Sequence, residues 1–170
     1  MASRLFSVPM CVIALALAGA VPTPAAAQDR VGGHFGFVIP LWTRANDRTT
    51  TVADDFVIGF PTGITLHTSD RIAFDLELVP FVQNEPLHVD LTVHPGVIVS
   101  LTRGFNAGLR MAFDVDRPSW GFTPLLNRRF ALNGRTSVFG ELVVPIRFQI
   151  DPAGSHFTSI GLGIHAGVGF

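Results

Sequence analysis

The stretch SIGLGIHAGVGF, Ser159 to Phe170, decides how the rest of the sequence is read. Ile160, Leu162, Ile164, Ala166, Val168 and Phe170 occupy alternate positions, with Ser159, Gly161, Gly163, His165, Gly167 and Gly169 between them. An unbroken period of two puts the first set on one face of a β-strand and the second on the other. One face is wholly apolar. The other is small, with a single imidazole.

The same alternation recurs upstream. From Leu87 to Leu101, the residues Leu87, Val89, Leu91, Val93, Val97, Val99 and Leu101 stand against His88, Asp90, Thr92, His94, Gly96 and Ser100, and only Ile98 spoils the polar face. Val31 to Trp42, Phe56 to His67, Arg71 to Val82, Phe105 to Val115, Trp120 to Asn127 and Val138 to Gln149 alternate likewise, which predicts eight strands. Longer connections near Thr43 to Asp55, Gln83 to Pro86, Asp116 to Ser119 and Ile150 to His156 are separated by turns at Thr68 to Asp70, Thr102 to Gly104 and Asn133-Gly134. An up-and-down meander follows. Strands of roughly 11 to 15 residues suit tilted strands crossing an apolar band of about 25 Å.

The first residues carry Arg4, the apolar run Val12 to Ala20, then Pro22, Pro24 and the small residues Ala25 to Ala27. This is the layout of a secretory signal peptide. Residues 1–27 are therefore expected to be cleaved, leaving one domain from Gln28 to Phe170. Cys11 would leave with the signal, so no disulfide is expected in the remainder. The chain has no lysine and no tyrosine but 15 Phe and 17 Gly, and its formal net charge is −1. That balance gives no electrostatic footprint for nucleic acid.

A soluble lipocalin-like barrel also alternates, but turns its apolar face inward and clothes the other with solvated charge. Here the polar face is mostly glycine, with Arg71, Asp75, Glu77, Asp90, His94, Arg110, Asp114, Glu141 and Arg147 thinly spread. That face suits a narrow lumen packed with small residues and ion pairs, and the nearly uncharged face suits lipid. The expected fold is all-β, an eight-stranded antiparallel up-and-down transmembrane β-barrel. A secreted soluble barrel holding a small apolar ligand is the alternative.

Two features conflict with the scheme. An Asn133-Gly134 turn pairs outward residues of the sixth strand with inward residues of the seventh, so a one-residue bulge is expected between Leu125 and Phe130. Pro40, Pro61, Pro80, Pro95, Pro124 and Pro145 also sit inside proposed strands, where each removes a ladder donor. All but Pro95 lie at similar height toward the long-loop end, which predicts a loosened or bulged rim.

The N-terminal segment, the eight alternating strands and the terminal GIHAGVGF resemble small eight-stranded outer-membrane barrels of the OmpA/OmpX type. The resemblance is one of pattern over residues 28–170. It implies export to the bacterial outer membrane, contact with outer-membrane lipids, and recognition by the barrel assembly machinery. In that group a C-terminal aromatic residue with apolar residues at alternate positions before it is the assembly signal, and Phe170, Val168, Ala166, Ile164 and Leu162 match it. The missing tyrosines leave Phe, Trp42 and Trp120 to mark the interface.

His34, His67, His88, His94 and His165 fall on the inward face and invite a metal reading. His88 and His94 would lie about 20 Å apart along an extended strand, too far for one ion. The expectation is no metal, no cofactor and no catalytic residue, with a lumen whose charges pair and whose histidines complete hydrogen bonds. Arg110 is the expected hub. The Thr102 to Gly104 turn sets it opposite Gly96, within reach of Asp75 or, across the lumen, Glu141. Counting across Gln83 to Pro86 sets Asp75 opposite His94. Such a network plugs the barrel and tells against a diffusive pore. The expected protein is a monomer and not an enzyme, with a structural or surface-interaction role. A lipid-modifying enzyme is the catalytic alternative, but Ser155, His156 and Ser159 form no triad spacing.

Overall fold

The computed structural model describes residues 30–84, 86–151 and 153–170. The expected signal peptide and Cys11 lie outside them. Eleven strand segments follow in order: β1 (Val31–Ala45), β2 (Arg48–Thr51), β3 (Val57–Gly59), β4 (Thr62–His67), β5 (Ile72–Asn84), β6 (Leu87–Ser100), β7 (Phe105–Asp114), β8 (Ser119–Asn133), β9 (Thr136–Val143), β10 (Ile146–Ile150) and β11 (His156–Gly169). β2, β3 and β4 together form one stave between β1 and β5, and β9 and β10 form another between β8 and β11. The segments thus make eight staves, each antiparallel to its neighbours in chain order. β11 pairs with β1 to close the ring.

The closing seam is tight. β1 and β11 pair from His34–Gly169 to Ala45–Ser159, and the Gly33 and Phe170 backbones exchange hydrogen bonds of 2.8 and 2.9 Å at its lower end. Gly36 lies opposite Gly167. A Cβ on Gly36 would stand 2.2 Å from the Ala166 carbonyl oxygen, and one on Gly167 would stand 2.3 Å from that of Phe35. Only glycine lets the two backbones approach this closely.

The faces divide as the alternation predicts. On β5, Ala73, Asp75, Glu77 and Val79 are buried, while Ile72, Phe74, Leu76 and Leu78 are exposed. On β11, Ile160 and Ile164 are exposed, as is Phe170 just beyond it, whereas Ser159 and His165 are buried. Large apolar side chains therefore cover the outside, and most buried side chains with charge or hydrogen-bonding groups lie inside. This is the inverse of a water-soluble barrel. Inside, Val38, Val79, Leu125 and Val143 form a small apolar cluster, with Phe81 and Ile98 against it.

Several local expectations are corrected. The connection Thr43 to Asp55 is not a plain loop, because β1 runs on to Ala45 and turns through Asn46 (φ 54°) into β2. Beyond β2, Asp54 accepts from the Thr51 hydroxyl at 2.7 Å and the Thr51 N–H at 2.8 Å, which holds its carboxyl below the usual carboxylate range. The last strand begins at His156, four residues before Ile160. The bulge of the sixth stave lies between Ala131 and Asn133, not between Leu125 and Phe130, and the turn is Gly134-Arg135, closed by the pair Asn133–Thr136. Asn84 pairs directly with Leu87, which places Glu77 rather than Asp75 opposite His94 and sets Asp75 against Gly96.

The prolines divide into two groups. Pro40 precedes a bulge at Leu41, Pro61 separates β3 from β4, and Pro145 separates β9 from β10. Pro80, Pro95 and Pro124 sit in continuous strands, and the carbonyls of Pro80 and Pro124 still accept from Phe60 and Val144. The rim is therefore bulged on three staves. We expect Gly36→Val to force the seam apart and lower the temperature at which the folded, fast-migrating band is lost on a gel. The same substitution at Gly140, where a Cβ meets nothing within 4 Å, should leave that temperature nearly unchanged.

Candidate functional site

The centre of the lumen holds one guanidinium among three carboxylates. Arg110 projects inward from β7 opposite Gly96, and a Cβ there would stand 2.6 Å from the Arg110 Cγ. Its Nε donates to Asp75 Oδ2 at 2.9 Å and its Nη1 to Glu141 Oε1 at 2.8 Å, while Nη2 lies 3.4 Å from Glu77 Oε2. All four side chains are almost wholly buried. Asp75 Oδ1 also accepts from the Thr65 hydroxyl at 2.8 Å, and Glu141 Oε2 accepts from Asn127 at 3.3 Å.

Three histidines complete this layer. His34 Nε2 lies 2.9 Å from Glu77 Oε2, with Nδ1 3.8 Å from Asp75, so each ring nitrogen faces a carboxylate. A Cβ on Gly63 would fall 2.2 Å from the His34 Cε1, so the ring occupies the space that glycine leaves. His94 Nδ1 is 3.2 Å from Glu77 Oε1, and its Nε2 is 3.0 Å from Arg147 Nη2. Because Arg147 can only donate, His94 accepts at Nε2 and donates through Nδ1. His165 Nδ1 lies 3.1 Å from Glu141 Oε1, while its Nε2 is buried with no partner among the described residues. Arg147 also donates to the Thr123 hydroxyl at 3.0 Å.

Of the residues singled out from the sequence, Asp75, Glu77, His94, Arg110, Glu141 and Arg147 thus meet in one network. Among the described residues, Asp90 and Asp114 make no hydrogen bond or close ion pair with these six. They stand nearer the long-loop end, where Arg117 and Gln83 contact Asp90 and the Thr92 hydroxyl donates to Asp114 at 2.7 Å. In the sequence, His34 and His165 stand among the inward histidines expected to complete hydrogen bonds, with neither tied to a carboxylate, and nothing singles out Thr65, which joins the network, or Arg117, which braces Asp90 outside it. Inward parity marked both histidines. Arg117 lies in the loop between β7 and β8, where strand parity assigns no face.

The ligand atoms of His34, Asp75 and Glu77 lie within 4.8 Å of one another, a spacing compatible with a metal ion. The guanidinium of Arg110 already bonds Asp75 and adjoins Glu77, so a fixed cation holds the position from which a metal would draw those oxygens. Cavities lie on either side of the layer. One of about 370 Å³ toward the short turns is lined by His67, Ser100, Asn106 and Arg129, with Asp75 and Arg110 at its inner end. Another of about 340 Å³ toward the long loops is lined by Trp42, Asp55, Asp90, Asp114 and Arg117. Between them, a cavity of only about 50 Å³ touches Val79, Val143, Glu77 and His94.

No protein-family model and no curated protein matches this chain. Among solved structures it is similar to the outer membrane protein OprG from Pseudomonas aeruginosa, at 12% identity and a TM-score of 0.44, over 82% of this chain and 92% of that one. It is also similar to a de novo designed transmembrane β-barrel, at 12% identity and a TM-score of 0.38, over 81% of this chain and 94% of that one. The barrel described above rests on the chain's own strand pairings.

Removing the hub leaves three buried carboxylates without their guanidinium. Breaking a buried pair by deleting one partner typically costs about 3–5 kcal/mol. We expect Arg110→Met to lower the heat-modification midpoint clearly. Arg117→Met, whose side chain is half exposed, should change it little.

Proposed function

We propose that this protein is an exported, integral outer-membrane β-barrel with a plugged lumen and a structural or surface-interaction role. The observation that carries the reading is the inversion of the two faces. Phe35, Ile64, Leu78, Leu109, Leu126 and Leu142 lie exposed on the outside, while Asp75, Glu77, Arg110 and Glu141 are buried inside. Such an apolar exterior is stable against hydrocarbon and insoluble in water. The same inversion tells against the soluble lipocalin-like reading, which needs an apolar pocket inside.

A non-catalytic role accords with a lumen whose acids and bases are engaged with one another. The narrow neck between the two larger cavities, walled by the ionic layer and the Val38, Val79 and Val143 cluster, supports plugging. Outer-membrane lipids and the assembly machinery are the proposed partners. The row Leu162, Ile164, Ala166, Val168 and Phe170 on β11 supplies the apolar pattern that such machinery reads.

Cell fractionation tests the location. The protein should be extracted only by detergent and migrate faster unheated than boiled, whereas recovery from a periplasmic or culture supernatant would refute the membrane reading. Plugging has its own test in a planar lipid bilayer. Inserted protein should give no steady ion current, and stable open channels of the wild type would overturn the plug. Incubation with labelled outer-membrane lipid should yield no product.

A further inference from the structure

Charged side chains are costly on a lipid-facing surface, and Arg128 is one. It alternates on β8 with the exposed Leu126 and Phe130, and its guanidinium carbon stands 4.8 Å from the Phe105 ring centre and 4.9 Å from that of Phe130. Both distances fall in the cation–π range. Arg128 makes no hydrogen bond or ion pair among the described residues, so two aromatic rings hold the guanidinium in place with its N–H groups free.

The ground beside it is open. Gly140 of β9 is the strand partner of Arg128, and a Cβ built there meets nothing within 4 Å. Ala166 of β11 is the next residue across. Gly140 and Ala166 thus floor a shallow depression next to the guanidinium, with the exposed Leu126–Leu142 pair further along the strands.

The height matters too. The Arg129 N–H donates to the Gly104 carbonyl at 2.9 Å, which puts Arg128 at the short-turn end of the barrel. Arg103 stands in the adjoining turn and Arg135 in the next. The electrostatic balance of this rim is basic, with Asp70 as the turn carboxylate.

We propose that Arg128, clamped by Phe105 and Phe130 and facing the Gly140–Ala166 depression, binds the phosphate of an anionic phospholipid whose acyl chain lies along Leu126 and Leu142. The guanidinium supplies paired N–H donors to phosphate oxygens, and the depression admits the first part of the chain. Basic side chains at a membrane surface attract anionic headgroups. The site rests on the membrane reading above.

Native mass spectrometry on the protein folded in detergent tests it, with phosphatidylglycerol and phosphatidylcholine of identical chains as probes. One phosphatidylglycerol should stay bound under activation that strips phosphatidylcholine. Arg128→Gln should cut its occupancy at least fivefold, and Gly140→Leu should do so without removing charge. Arg44→Gln, at the opposite rim, should leave occupancy unchanged. Heat-modifiable mobility confirms that each variant is folded, and Gly140→Leu keeps the test alive if Arg128→Gln does not fold. Equal retention of the two lipids, or unchanged occupancy in a folded Arg128→Gln or Gly140→Leu variant, would overturn the site. So would equal competition by inorganic phosphate, which would mark a phosphate site without lipid character. A wild type that stays in solution without detergent defeats the membrane reading instead, before any lipid is added.

Discussion

Closure of the sheet between β1 and β11 is the constraint on which everything else depends. A strand edge carries a row of unpaired backbone donors and acceptors, and in hydrocarbon each costs several kcal/mol. Only a ring has no edge. In this chain the ring closes where Gly36 and Gly167 face each other and where Phe170 and Gly33 exchange backbone hydrogen bonds. A side chain at either glycine would strike the opposite strand's carbonyl, so the residues that look least informative at the seam are those that permit it.

Closure creates an interior as well as removing an edge. Eight staves leave just enough space for side chains, and what fills it must satisfy itself without bulk water. Here that is achieved by concentration. Arg110 serves three carboxylates; Thr65 and His94 take Asp75 Oδ1 and Glu77 Oε1, which the guanidinium does not reach, while His34 and His165 share Glu77 Oε2 and Glu141 Oε1 with it. An interior of apolar residues would satisfy packing equally well. The ionic version also fixes the relative positions of β5, β7 and β9, because one planar group must meet Asp75 and Glu141 from opposite sides of the lumen.

Much of this was legible in the sequence because strand parity is a property of single residues. Whether Asp75, Glu77, Arg110 and Glu141 face inward follows from counting by two, and the two-sided character of each stave follows from the same count. What parity cannot supply is register, which depends on where a hairpin closes. Closing β5 and β6 at Asn84–Leu87 moved the partner of His94 from Asp75 to Glu77, a slip of two residues that leaves every face unchanged. The bulges at Leu41 and at Leu132 are of the other kind, since each inserts one residue and reverses the face beyond it. Pro40 marked the first. No residue type marked the second, because a bulge next to a Gly-Arg turn is set by how the turn closes rather than by local preference. Arg117 escaped for a related reason, as a loop residue has no face until the strands on either side place it.

The pairing of large polar residues with glycine extends what can be read. His34 fills the space over Gly63 and Arg110 the space over Gly96, each directly across a strand pair. In a lumen this narrow these two side chains lie against the wall where the neighbouring strand carries no Cβ, whereas Glu141 reaches Arg110 from between Asn127 and His165. Glycine opposite Arg110 and His34 is thus part of what specifies their pairing. On the lipid face the same combination has a different outcome. Gly140 lies opposite Arg128, but the guanidinium is held away by two phenylalanines and the space stays open. Inside, the glycine is covered by the charge it accommodates. Outside, it leaves a vacancy beside a charge whose donors are unused, and that difference separates an internal brace from a surface built to receive something else.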